Sequence, residues 1–126
     1  MLPEEPDLYG WVDLDHWQRW RDALAEYQNE QGRLPDRNWR ALFRLATVTP
    51  NLWRHVRSHI WYRDGTVHPG VEDGGHLSHG ERLVLAVALN LFWERGVINL
   101  ADLAHTLGLS WWNVVMVALD EFRGGH

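Results

Sequence analysis

Residues 83–93 read Leu-Val-Leu-Ala-Val-Ala-Leu-Asn-Leu-Phe-Trp, ten apolar side chains and one asparagine. At a helical period these side chains point in every direction, so the segment has no polar face to offer to water. It is also far shorter than the ~20 residues that cross a bilayer, so it reads as a buried helix and not as a membrane span. Ser78-His79-Gly80-Glu81 just before it has the S-x-x-E form of a capping box, and Gly96 stops it. The expectation is a helix from Glu81 to Arg95 at the centre of a bundle. The rest of the chain must then supply the helices that cover it.

Such helices can be read on both sides. Asp13 or Asp15 can cap a first helix in which Trp17, Trp20, Leu24 and Tyr27 fall on one face, with Gly32 and Pro35 ending it. A second runs from about Asp36 to Ala46, with Trp39, Leu42, Phe43 and Ala46 as its apolar face. Thr49-Pro50 places a cap and then proline at the first helical position, which starts a third helix that continues to about Tyr62. Asp64-Gly65 breaks it. Residues 64–77 are a glycine-rich loop, in which Thr66–His68 has only a faint strand pattern. Asn99 caps a short helix, Leu100 to Leu107, and Ser110 caps the last, Trp111 to Phe122. At 126 residues the chain is one domain. The acidic, proline-broken residues 1–12 read as an extended arm that Leu8, Tyr9 and Trp11 can tack onto a single helical domain, 13–126.

Composition excludes several classes. No cysteine is present, so disulfides, thiolate metal sites and thiol chemistry are ruled out. The start lacks a basic region followed by an apolar one, so it is not a secretory leader, and the expected location is cytoplasmic, away from membranes. There is no G-x-x-x-x-G-K-[ST] phosphate loop and no G-x-S-x-G elbow. No paired carboxylates sit in an apolar context either. Leu77-Ser78-His79-Gly80-Glu81-Arg82 looks like an ATPase signature, but the capping box accounts for the same residues. Nothing positive argues for an enzyme or a cofactor.

The segment Leu103-Ala104-His105-Thr106-Leu107-Gly108-Leu109-Ser110, followed by Val114 and Val117, resembles a helix-turn-helix motif. A small residue lies where the helices approach, and glycine lies in the turn. In that motif the second helix offers polar and basic side chains to base edges. Here the outward positions are read as Trp111, Trp112, Val115, Met116 and Leu119, with Asp120 and Glu121 after them. That surface suits a protein partner or a second copy of the chain better than DNA.

Charge is segregated along the chain. Residues 1–36 carry net −6, residues 37–63 net +6 with six arginines and no acid, and residues 64–126 net −5. Arg37, Arg40 and Arg44 recur at i, i+3 and i+7, and Arg54 and Arg57 repeat the spacing on the next helix. Arginines interleaved with aromatics are the pattern of phosphate or single-strand binding, and they also anchor protein interfaces. The plainer expectation is that the acidic first helix lies beside them. His55 and His59, at i and i+4, can offer two metal ligands from one helix face, but no H-E-x-x-H accompanies them.

Arg37 with Ala41-Leu42-Phe43, then Leu52-Trp53, then Gly80-Glu81 and Leu85-Ala86-Val87-Ala88-Leu89-Asn90-Leu91-Phe92, and finally Leu100 and Leu103 set an order of landmarks. Over roughly residues 15–123 that order resembles a family of small bacterial and phage-associated helical proteins of unknown function. The resemblance implies a helical fold and carries no activity. Together these readings predict an all-α, compact bundle of about five helices with a helix-turn-helix-like C-terminal pair. Its expected role is a non-catalytic interaction or regulatory module that self-associates through Trp111, Trp112, Met116 and Leu119. Nucleic-acid binding by the arginine-rich helices, and metal binding by His55 and His59, are the alternatives.

Overall fold

Local capping sets most of the element boundaries. The computed structural model describes residues 9–124, so most of the predicted arm, residues 1–8, lies outside the described residues. Within them are six α-helices: α1 (Leu14–Gln31), α2 (Arg37–Ala46), α3 (Pro50–Arg57), α4 (His79–Trp93), α5 (Leu100–Thr106) and α6 (Leu109–Gly124). The all-α class is as expected, and each helix falls on one of the six segments read from the sequence, against a bundle summed as about five. Asp13, Asp36, Thr49, Ser78 and Asn99 each accept a backbone N–H from three residues on, at 2.8 to 3.1 Å. Each such cap contributes about 1 kcal/mol. The Ser78–Glu81 box closes in both directions, because the Glu81 carboxylate also accepts the Ser78 N–H at 2.9 Å.

Glu81 does more than cap its own helix. Its second oxygen accepts the Thr49 hydroxyl at 2.5 Å, which ties the start of α4 to the start of α3. Burial opposes the charge on this carboxyl, but the hydrogen bonds from Thr49 and Ser78 outweigh it and hold its pKa below the ordinary range.

Three helices differ from expectation. α4, expected over Glu81 to Arg95 and stopped by Gly96, runs from His79 to Trp93 and ends on Glu94 at φ +54°. α3 stops at Arg57 and does not reach Tyr62. The Ser58 hydroxyl and the His59 Nδ1–H both donate to the His55 carbonyl at 2.8 Å, so side chains occupy an acceptor at the end of the helix. Ile60–Trp61 (β1) then pairs antiparallel with Thr66–Val67 (β2), in the register Ile60 to Val67 and Trp61 to Thr66. Part of the predicted loop is therefore a small hairpin. α6 starts at Leu109, with the Trp112 N–H bonded to the Gly108 carbonyl, so Ser110 lies inside the first turn and does not cap it.

The centre of the bundle is a pair. α4 buries Val84, Leu85, Val87, Ala88, Leu89 and Leu91. It packs on α2, which is buried without interruption from Ala41 to Ala46 and also receives α1, α3 and α6. α6 contributes Val114, Val115 and Ala118 to this core. The spacing predicts one apolar face on α2, but α6 and the stretch before α1 close over its second face. Trp11 is buried there, and Gly10 has φ +88°. A Cβ on Gly10 would stand 2.9 Å from Val117 Cγ2, so only glycine allows the chain to pass this close to α6. Among the described residues no helix is long and apolar enough to cross a membrane.

Candidate functional site

The surface of α6 divides its apolar residues between two faces. Val114, Val115 and Ala118 are buried, which corrects the outward placement of Val115. Trp111 also turns inward: it lies over the start of α4, where a Cβ on Gly80 would be 3.4 Å from its ring. Trp112 and Met116 are partly buried at the edge of the core. Leu119 is 37% exposed and Leu109 is 76% exposed. Leu109, Trp112, Met116 and Leu119 are spaced three, four and three residues apart, which places them in one stripe along the helix. Leu109 was missed because the sequence assigned it to the turn. The α5–α6 connection is Leu107-Gly108, two residues, which is shorter than the three or four of a helix-turn-helix.

The arginines do not form one continuous stripe. Those of α2 face α6: Arg37 lies 4.9 Å over the Phe122 ring, and Arg40 sits half-buried between Arg37 and Arg44. Arg44 is 6% exposed. Its Nε donates to Glu121 at 2.6 Å, its Nη1 donates to the Gly10 carbonyl at 2.8 Å, and its guanidinium stacks 3.9 Å over Trp11. The adjoining His16 is fully buried. It accepts the Val12 N–H at Nδ1 and donates from Nε2 to the Arg44 carbonyl at 2.8 Å. Burial pushes its pKa down to about 4, against the opposing effect of the bond to the Arg44 carbonyl.

The arginines of α3 lie elsewhere. Arg57 makes a two-pronged pair with Glu26 of α1, at 3.2 and 2.6 Å, and the Tyr62 hydroxyl donates to the same carboxylate at 2.7 Å. The acidic first helix therefore does lie beside part of the basic segment. Arg54 is exposed, and its one hydrogen bond among the described residues is to Asn51 at 3.5 Å. Arg19 of α1, which sequence reading did not single out, donates from Nε and Nη2 to the Thr47 and Val48 carbonyls at 2.9 and 3.1 Å. Arg19, Pro50, Trp53, Arg54, Arg57 and Ser58 together line a cleft of about 510 Å³ between α1 and α3. A second cleft, about 430 Å³, lies along the outer side of α4 with Leu85, Leu89 and Trp93 among its walls.

Four histidines gather at the end of α3. The His55 ring is 4.9 Å from His59 and 4.8 Å from His76, and His59 is 6.2 Å from His68. His55 Nε2 donates to the Val71 carbonyl at 2.7 Å, and His59 Nδ1 is used on the His55 carbonyl. Each ring of the predicted metal pair thus spends one nitrogen on the backbone. Among the described residues no group of three or more His, Asp or Glu is placed to hold a metal ion.

No protein-family model, curated protein or solved structure matches the chain. Function has to be read from these surfaces.

Proposed function

We propose that this chain is a non-catalytic interaction module that pairs with a second copy of itself through the outer stripe of α6. The observation that carries this reading is the symmetry of the stripe. Leu109 and Leu119 stand five residues either side of Val114, and Trp112 and Met116 stand two either side. An antiparallel copy of α6, related by a two-fold axis on the outer face level with Val114, brings Leu109 against Leu119 and Trp112 against Met116. Such an isologous contact uses one patch twice and is self-complementary. Residues 109–119 contain no charged side chain, so nothing in the stripe repels its own copy. Leu109, 76% exposed, is the stripe residue that such a copy would cover most.

Size-exclusion chromatography with light scattering tests this at tens of micromolar. The expected result is a dimer that Leu109→Glu or Leu119→Glu converts to monomer without loss of helical signal. A wild-type monomer at that concentration would overturn the reading, as would a dimer indifferent to both substitutions.

A further inference from the structure

We infer that the cleft between α1 and α3 binds a nucleobase carrying a phosphate, with the base on Trp53 and the phosphate among Arg54, Arg19 and Arg57. The proposal is independent of the α6 stripe and uses none of its residues. Three guanidinium groups line this cleft and no carboxylate does, in a chain whose net charge is −5. A concavity of about 510 Å³ is within the range of small-ligand sites.

The three arginines differ in what they have left to give. Arg19 is fixed by the two carbonyls that follow α2, and its Nη1 has no hydrogen-bond partner among the described residues. Arg57 is fixed by Glu26 through Nε and Nη2, which leaves its own Nη1 without a partner and offsets part of its charge. Arg54 keeps almost its whole fork, since the Asn51 contact at 3.5 Å is at the limit of a hydrogen bond. Two pre-positioned donors and one exposed arginine make a suitable cradle for a tetrahedral oxyanion.

Trp53 separates a nucleotide from a simple anion. It is half-buried, held at 82° to the Phe43 ring with centroids 5.9 Å apart, and it is the aromatic wall of the cleft. A fixed indole beside guanidinium groups is the arrangement on which bases stack in single-strand binding. An acidic peptide would use the arginines but would leave the indole without a flat partner. The Ser58 hydroxyl donates to the His55 carbonyl and its oxygen lies 3.2 Å from His59 Nδ1, so Ser58 shapes the rim of the cleft more than it binds a base.

The test is fluorescence anisotropy with a short labelled oligo-dT strand at low salt, alongside calorimetric titration with adenosine monophosphate. Binding of both identifies the nucleotide unit as the ligand. Binding of the strand alone identifies single-stranded nucleic acid as its source. Affinity for the strand falls steeply as salt rises, and in either case Arg54→Glu weakens binding by about tenfold or more. Trp53→Leu weakens it by a similar factor, while Arg37→Glu, on the α6 side of α2, leaves it unchanged. Arg54 is exposed, so its variant retains the fold even if the Trp53 variant does not. Failure of both probes to bind at low salt overturns the proposal. So does binding that Arg54→Glu does not weaken, or poly-glutamate competing better than oligo-dT.

Discussion

Arg44 and Arg54 come from the same basic segment and the same helical spacing, and the fold gives them opposite surroundings. Arg44 is enclosed by four partners from three places: Glu121 on α6, the Gly10 carbonyl, and the faces of Trp11 and Trp20. Arg54, ten residues later, faces solvent at the lip of a cleft. Charge spacing along a helix therefore does not say what an arginine is for. What decides is whether another element closes over it, because a buried guanidinium must be paired and hydrogen-bonded while an exposed one is free to meet a ligand. Arg44 holds the molecule together and Arg54 is available to bind.

The largest effect should come from breaking the enclosed arginine. Arg44→Leu removes the ion pair and the stack on Trp11, and it leaves the carbonyl of buried Gly10 without its donor. The expected cost is about 4 kcal/mol, read as a drop in the urea midpoint. Glu121 is 46% exposed at its side chain and can be rehydrated, which keeps the cost from rising further. A loss below about 1 kcal/mol would mean that the α6 contact is not what holds this face closed.

A second effect comes from the same corner and depends on pH. His16 has a folded-state pKa of about 4 against 6.5 for the free side chain. The unfolded chain therefore takes up the proton first. The neutral ring's contribution is fully present above pH 6.5 and is lost as pH falls toward 4. The shift corresponds to about 3 kcal/mol. Urea titrations at pH 7 and pH 4 should show this difference in the wild type and a smaller one in His16→Gln. Equal pH dependence in the two proteins would show that the ring is not the group responsible. Glu81 also loses stabilising charge in acid, so the comparison must be made between variants and not from one curve.

What could be read in advance follows the same division. The caps at Asp13, Thr49, Ser78 and Asn99 were legible because each is a bond across three residues. The end of α3 was not, because Ile60 and Trp61 continue its apolar pattern while Ser58 and His59 turn back onto the His55 carbonyl. Arg44 and His16 were hidden for a different reason. The hydrogen bonds that tie them to other elements span 28 to 77 residues, and no local pattern announces that a helix face will be covered. The stripe on α6 was read in part. Trp112, Met116 and Leu119 were placed outward, but Trp111 and Val115 were included with them because a helix apolar on most sides does not reveal which side is inside. In the cleft, Arg54 and Arg57 were legible as a basic pair, whereas Arg19 belongs to the acidic third of the sequence and joins them only through α1 packing.

The smallest effect is the most discriminating. Arg54→Ala should leave the unfolding free energy within about 0.5 kcal/mol of wild type, since the side chain is exposed and its contact with Asn51 is long. Set beside the loss of about 4 kcal/mol at Arg44, that result would make the two residues unequal by far more than their spacing suggests. A loss above about 1 kcal/mol at Arg54 would instead mean that this arginine also carries part of the fold. A neutral effect on stability has a further consequence. A side chain that the fold does not need, kept beside two arginines already fixed in place, is free to be spent on a ligand.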